Sequence, residues 1–413
     1  MSPATRAPVT SSAAGEVRDP SGGIAAERPP LVCQRSAFQL PRDAHYFNCA
    51  YMGPLPRAAE EAGIEALRLK RDPTLIVPPD AFWETADTLR ERFARLIRAS
   101  DPNRVAIQPG VSYGVATAAR NLPVGAGQNV IVTHEQFPGN YYAWDRLAGE
   151  SGAELREVGP GEGPDRGRRW NERLLEAIDA RTAIVAVPIV HWTDGTRFDA
   201  VEIGRRCRDV GAALVIDATQ SVGALDFDLA AVEPDVLICA TYKWLLGPYS
   251  ISLAWFGPRF DDGVPLEETW IARRNSRDFQ RLVDYQPAYE AGAVRYDVSE
   301  RSNFFLAPIA AASLELLLEW GPGRIQSYCR ALTRDFLAEM RGLGYAVEDE
   351  EWRASHLFGL RTPSSVDLAS LKEALAARNV SASLRGTALR LSPNVYNDEV
   401  DVGVLAEVLR AAV

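Results

Sequence analysis

Between residues 104 and 256 the chain alternates short, nearly uninterrupted apolar runs with amphipathic stretches. The runs cover 104–107, 129–133, 155–158, 182–190, 212–217, 235–240 and 251–256, and helical patterns such as 171–179 and 201–210 lie between them. A run that is apolar at consecutive positions and rich in β-branched residues suits a strand buried on both faces. Strands of that kind alternating with helices imply a mostly parallel sheet covered by helices on each side. We therefore expect an α/β fold built on seven strands. Ligands of such sheets sit beyond the carboxyl ends of the strands, so the polar residues that end these runs are where chemistry is expected.

Two of those ends carry complementary groups. Asp217 closes the run Ala212-Ala-Leu-Val-Ile-Asp217, and Lys243 follows the run 235–240 between Tyr242 and Trp244. Pyridoxal phosphate needs an amine for a Schiff base and a carboxylate that keeps its pyridine nitrogen protonated, so that the ring accepts electrons. An acid directly after Leu-Val-Ile is desolvated unless a cation meets it. Burial also lowers the pKa of a lysine, which helps amine chemistry. The competing readings are an N-cap for Asp217 and a surface lysine flanked by aromatics for Lys243.

Other strand ends add weaker signals. Gly110-Val-Ser-Tyr-Gly114 follows the first run and opens a helical pattern at 115–120, so backbone amides near Val111 and the Ser112 hydroxyl suit a phosphate; an ordinary strand–helix turn explains the same residues. Phe137, after the run 129–133, suits stacking on a flat ring, or is a rim phenylalanine. His191-Trp-Thr-Asp-Gly-Thr196 offers polar side chains to a cofactor oxygen, or is a polar turn with a structural histidine. Arg390, in Ala388-Leu-Arg-Leu-Ser-Pro393, sits on an expected strand where a lone guanidinium is unusual. A substrate carboxylate gripped bidentately accounts for it, with Arg385 as a second candidate; the alternative is an internal ion pair.

The net charge of −10 and the lack of any Lys/Arg block argue against a nucleic-acid surface. Five cysteines without a C-x-x-C pair suit a reducing cytoplasm. Four scattered histidines offer no metal spacing, and no apolar run reaches the ~20 residues of a membrane helix. Residues 1–35 lack apolar periodicity and the h-region of a secretory signal, so we expect a disordered tail there. Residues 36–300 then form a large cofactor-binding domain, whose start at 36–60 packs on a small domain. Within 257–298 the periodicity fails, as in a long functional or interfacial loop. Residues 301–413 form a linking helix, at 307–320, and a small α+β domain. Its expected elements are strands near 346–347, 357–360 and 388–391 and helices at 368–378 and 400–412.

Taken together, these motifs resemble the class V branch of fold-type I PLP enzymes, the group of cysteine desulfurases and kynureninases. The resemblance covers about residues 46–400. Asp217-Ala-Thr-Gln-Ser221 is similar to a desulfurase run whose Asp pairs with the pyridine nitrogen and whose Gln meets the phenolic oxygen, which implies those roles for Asp217 and Gln220. Phe137-Pro-Gly-Asn-Tyr141 and Tyr242-Lys243 are similar to kynureninase runs. They imply a stacking Phe137, a phosphate-touching Tyr242 and a cofactor-bearing Lys243. Leu384-Arg385 followed by Leu389-Arg390 resembles a run whose second Arg grips the substrate carboxylate. Ser112 matches a phosphate-binding hydroxyl, Asp194 a polar position near the phenolic oxygen, and Asn48 and Tyr51 fall in an N-terminal segment that lines the site.

The resemblance further implies a homodimer whose neighbouring subunit completes the site near Arg301 and Asn303. It implies an amino-acid substrate whose amine displaces Lys243, which then acts as base on Cα. The segment 381–390 lacks the cysteine that desulfurases carry before the carboxylate-binding Arg, and Asn140 replaces an Asp of kynureninases. A lyase is the expected outcome, by β-elimination or Cβ-bond cleavage. An aminotransferase or an epimerase is the alternative on the same scaffold.

Overall fold

The computed structural model of the protein describes residues 28–413, and residues 31–413 form one compact unit. The tail expected up to residue 35 lies outside the described residues through position 27. Its end is docked: the Gln34 N–H donates to the Val395 carbonyl at 2.7 Å, and Arg35 pairs with Asp401 at 3.0 Å.

The strands are β1 (His45–Tyr46), β2 (Val105–Gln108), β3 (Asn129–Thr133), β4 (Glu154–Val158), β5 (Thr182–Pro188), β6 (Ala213–Asp217), β7 (Val236–Ala240), β8 (Ser252–Phe256), β9 (Phe358–Arg361), β10 (Val380–Ser381), β11 (Ser383–Arg385) and β12 (Ala388–Leu391). The helices are α1 (Arg57–Leu69), α2 (Glu84–Leu96), α3 (Val111–Asn121), α4 (Tyr142–Ser151), α5 (Arg166–Ala177), α6 (Ala200–Val210), α7 (Leu229–Val232), α8 (Leu306–Trp320), α9 (Pro322–Gly342), α10 (Leu368–Ala377) and α11 (Glu399–Ala411).

The seven expected runs form one sheet in the order β2-β8-β7-β6-β5-β3-β4. β3 to β7 run parallel, and only β8 opposes its neighbours β2 and β7. Successive residues of the central strands face opposite layers. Leu214 and Ile216 of β6 join one apolar cluster, and Ala213 and Val215 join another. Both faces are therefore dry, which is why these strands are apolar at consecutive positions rather than alternating. Each fully buried Val, Leu or Ile contributes roughly 1.5–3 kcal/mol. β4, at the edge, is exposed at Glu154 and Glu157. Helix α6 starts at Asp199, whose carboxylate accepts the Glu202 N–H, and stops at Gly211, which adopts φ +78°.

The C-terminal chain makes a second, antiparallel sheet, β11-β12-β9, while β1 pairs with β10. Phe47 joins the apolar cluster of that region, so the N-terminal segment packs on C-terminal elements. The strand expected near 346–347 is only a single bridge between Ala346 and Arg361. Helix α3 begins at Val111, four residues earlier than its apolar pattern, because Gly110 leaves β2 in extended backbone (φ −179°) and turns directly into the helix. Among the described residues no helix is long and apolar enough to cross a membrane.

Candidate active site

The carboxyl ends of β2, β5, β6 and β7 converge on a cavity of about 220 Å³. Lys243 and Asp217 both line it and are 7% and 8% exposed. Neither enters an ion pair among the described residues. Asp217 Oδ1 accepts the Thr219 N–H at 3.0 Å, a local turn contact. Burial pushes the Asp217 carboxyl up, opposed by Thr219 and by the charge of Lys243. Burial lowers the Lys243 amine to about 8; Asp217 resists that shift and Arg390 adds to it. Lys243 Nζ lies 5.3 Å from the Phe137 ring centre and 5.5 Å from that of Tyr242. Gly53 seats the lysine turn: its N–H donates to the Tyr242 carbonyl at 2.8 Å, and a Cβ there would stand 2.1 Å from the Lys243 carbonyl oxygen.

The opposite wall is the start of α3, with Gly110, Val111 and the exposed Ser112. Phe137, 39% exposed, stands edge-on to Trp192 at 5.6 Å. Gln220 lines the cavity but is anchored, donating to the Ala50 carbonyl at 3.1 Å and accepting from Trp244 Nε1 at 2.8 Å. Tyr242 packs on the exposed Tyr249 at 4.6 Å, and burial raises its hydroxyl to about 12.

Arg390 is 2% exposed. Its Nη1 donates to the Trp192 carbonyl at 2.8 Å and its Nη2 to Ser383 Oγ at 3.4 Å. Its Nε has no partner, and no carboxylate pairs with it among the described residues. The internal ion pair that was the alternative reading of Arg390 is therefore absent among the described residues. Burial, and then the charge of Arg385, lower it to about 10. Asn48 Oδ1 accepts from Ser383 Oγ at 2.8 Å, which ties the N-terminal segment to Arg390's neighbour. Tyr51 is 60% exposed.

Three expected residues are used elsewhere. Asp194 does not line this cavity: its Oδ2 meets Arg166 Nε at 3.0 Å and Arg361 Nη2 at 3.1 Å, so two guanidinium groups draw it outward. Asn303 Oδ1 accepts the N–H groups of Phe305 and Leu306 at 3.2 and 2.9 Å, capping α8. Arg301 is 1% exposed and paired with Asp297 at 2.6 Å, so it presents no surface to a neighbour. His191 is fully buried: its Nε2–H donates to the His134 carbonyl at 3.1 Å, which leaves Nδ1 to accept from Thr193 Oγ1 at 2.7 Å, and burial lowers it to about 4. Trp192, whose carbonyl meets Arg390 and whose ring meets that of Phe137 edge-on, carries no signal in the sequence beyond its place two residues before Asp194 after the longest apolar run.

The cavity suits pyridoxal phosphate. It holds a buried amine, a buried carboxylate without a counter-cation, a helix start for a phosphate, an aromatic wall and a nearby guanidinium with an unpartnered Nε.

Residues 80–269 match the aminotransferase class-V family. The isopenicillin N epimerase of Streptomyces clavuligerus is 27% identical over 378 residues, 88% of this chain and 94% of that one. The kynureninase of Pseudomonas fluorescens is 30% identical over 278 residues, 64% of this chain and 63% of that one. The solved complex of the cystine C-S lyase C-DES with its product cysteine persulfide has a TM-score of 0.78 at 18% identity, covering 89% of this chain and 97% of that one.

Proposed function

We propose that this chain, which belongs to the class V branch of the PLP-dependent enzymes, is a lyase acting on an α-amino acid by β-elimination or Cβ-bond cleavage. When bound, the cofactor supplies an electron sink for charge developing at the substrate Cα. Asp217, buried without a counter-cation among the described residues, would face a protonated ring nitrogen and hold it in that form. The α3 start, Val111 and Ser112, with Tyr242, holds the phosphate. Phe137 covers the ring and excludes water. Gln220 faces the phenolic oxygen, with its carbonyl fixed by Trp244. Arg390 takes the substrate carboxylate through its guanidinium, and the N-terminal segment of Asn48 and Tyr51 is tied to its neighbour Ser383 through Asn48. Lys243 would hold the cofactor through its amine and then, once displaced by the substrate amine, is the base positioned to remove the Cα proton.

The observation that carries the lyase is that Lys243 is the single basic side chain among the described residues lining the cavity. One base can take the Cα proton and return it to a departing group on the same face, whereas inversion at Cα needs a donor on each face. Epimerisation is the second reading, favoured by the relative that spans 88% of this chain.

Sulfur-bearing substrates release sulfur to solution in this reading. Cys49 is fully buried, its thiol is raised to about 12 by burial, and Asn394 Nδ2 donates to it at 3.3 Å. The test is product analysis of the purified yellow protein with L-amino acids, with mass spectrometry of the enzyme afterwards. An oxo acid or shortened amino acid with no mass gain on Cys49 is expected. A D-amino acid of unchanged formula would replace the lyase with the epimerase, and a persulfide on Cys49 would replace it with sulfur transfer.

A further inference from the structure

The cavity of Lys243 shares two wall residues, Gln136 and Trp192, with a second, outer cavity. Three guanidinium groups, Arg166, Arg361 and Arg385, and two carboxylates, Asp194 and Glu135, line that outer space. Asp194 is committed to Arg166 and Arg361. Arg385 is in no ion pair among the described residues. Its Nη1 donates to the Leu384 carbonyl at 2.9 Å, and its Nε, shielded from solvent, has no partner. A buried donor without an acceptor is uncommon in a folded protein and asks for an explanation. Unlike Arg166 and Arg361, Arg385 lines this space with no carboxylate paired to it among the described residues.

The place of Arg385 suggests what the acceptor is. Its guanidinium lies 5.5 Å from the Trp192 ring centre, while Arg390 holds the carbonyl of the same residue at 2.8 Å. From Lys243 Nζ the path runs 5.3 Å to the Phe137 ring, 5.6 Å on to the Trp192 ring and 5.5 Å on to Arg385. Two like charges on one β-hairpin, close enough that Arg385 lowers the pKa of Arg390, face successive stretches of this path. A ligand with two anionic ends matches that spacing of charges better than a ligand with one.

We propose that Arg385 binds an anionic group at the far end of the substrate side chain, so that the enzyme's substrates are α-amino acids carrying a second, distal carboxylate. The proposal rests on the reading that Arg390 takes the α-carboxylate. Trp192 is the gate between the two anion sites, and the planar edge of Arg385 selects a carboxylate by its two parallel hydrogen bonds.

Calorimetric titration of the holoenzyme with unreactive acids tests this. Glutarate and adipate are compared with valerate and hexanoate, which match them in length and lack the second carboxylate. The wild type should bind each dicarboxylate about tenfold tighter than its partner. Arg385→Met should erase that preference and keep monocarboxylate affinity within about twofold; Arg385→Lys, which retains charge without the fork, should keep part of it. No preference in the wild type, or a preference that survives Arg385→Met, overturns the proposal. If Arg385→Met does not fold, a full preference in Arg385→Lys overturns the fork's role. Arg390→Lys separates the two readings: it should weaken both classes of acid, and if it leaves both unchanged the Arg390 reading fails while the dicarboxylate preference still decides Arg385.

Discussion

At the scale of single residues the site is a set of charges kept out of water. Lys243 illustrates the energetics. Its amine falls from 10.5 to about 8, chiefly because burial penalises the ammonium. In cofactor-free protein the unfolded chain keeps this proton up to about pH 10.5, while the folded chain releases it near pH 8. Between those values the unfolded state binds more protons, so this group makes stability rise with pH across the window; below pH 8 the full penalty stands. The shift amounts to on the order of 3 kcal/mol. Lys243→Met should therefore stabilise the cofactor-free protein at pH 7 by up to about 3 kcal/mol, and by much less at pH 10. Denaturant unfolding at the two pH values checks this, and an unchanged difference would refute the cause.

At the scale of elements, the loop after β5 joins the two sheets. The Ala354 N–H donates to the Gly195 carbonyl at 3.0 Å, and the Gly359 N–H to that of Asp194 at 2.8 Å. Gly195 adopts φ +74°, and a Cβ there would lie 1.9 Å from the Leu357 carbonyl oxygen. Only glycine permits both the left-handed backbone and the contact. Trp192 and Asp194 ride on this loop, so its seating on β9 sets the wall between the two cavities. Gly195→Ala is expected to cost roughly 2–4 kcal/mol, from left-handed strain plus overpacking. It should also raise the substrate KM. Denaturation curves together with steady-state kinetics check it, and wild-type stability would contradict the packing.

At the scale of the whole molecule, the N-terminal segment is clamped to the C-terminal helix. Asp401, in the first turn of α11, accepts from Arg35 at 3.0 Å and meets His45 Nδ1 at 2.7 Å while it is 1% exposed. Removing one member of a buried charge cluster costs about 3–5 kcal/mol, so Asp401→Asn should lose stability near the lower figure, as the amide retains some hydrogen bonds. Urea unfolding measures it, and a loss below about 1 kcal/mol would show the clamp to be idle. The segment 257–298 leaves Trp270, Phe279, Val283 and Tyr285 exposed, by 40%, 37%, 73% and 88%. Apolar exposure of this kind suits an interface, and sedimentation as two chains is expected; an active monomer would refute the homodimer.

The sheet was legible in the chain because its strands other than the edge strand β4 are buried on both faces, which writes an apolar run directly into the sequence. Lys243, Asp217 and Phe137 were legible for a related reason: each closes or follows such a run, and strand ends of a parallel sheet face one crevice. What the runs leave open is which partner each polar group takes. Asp194 and Arg390 sit in equally suggestive places, yet Asp194 is claimed by Arg166 and Arg361, from a helix and a distant strand, whereas Arg390 is left unpaired. Trp192 becomes a shared wall only because Gly195 fits against Leu357, more than 160 positions along the chain. Local periodicity thus determined the scaffold and the axis of the site. The pairing of charges was decided by contacts between residues far apart in sequence, since desolvation and ion pairing depend on distance in space and leave no period along the chain.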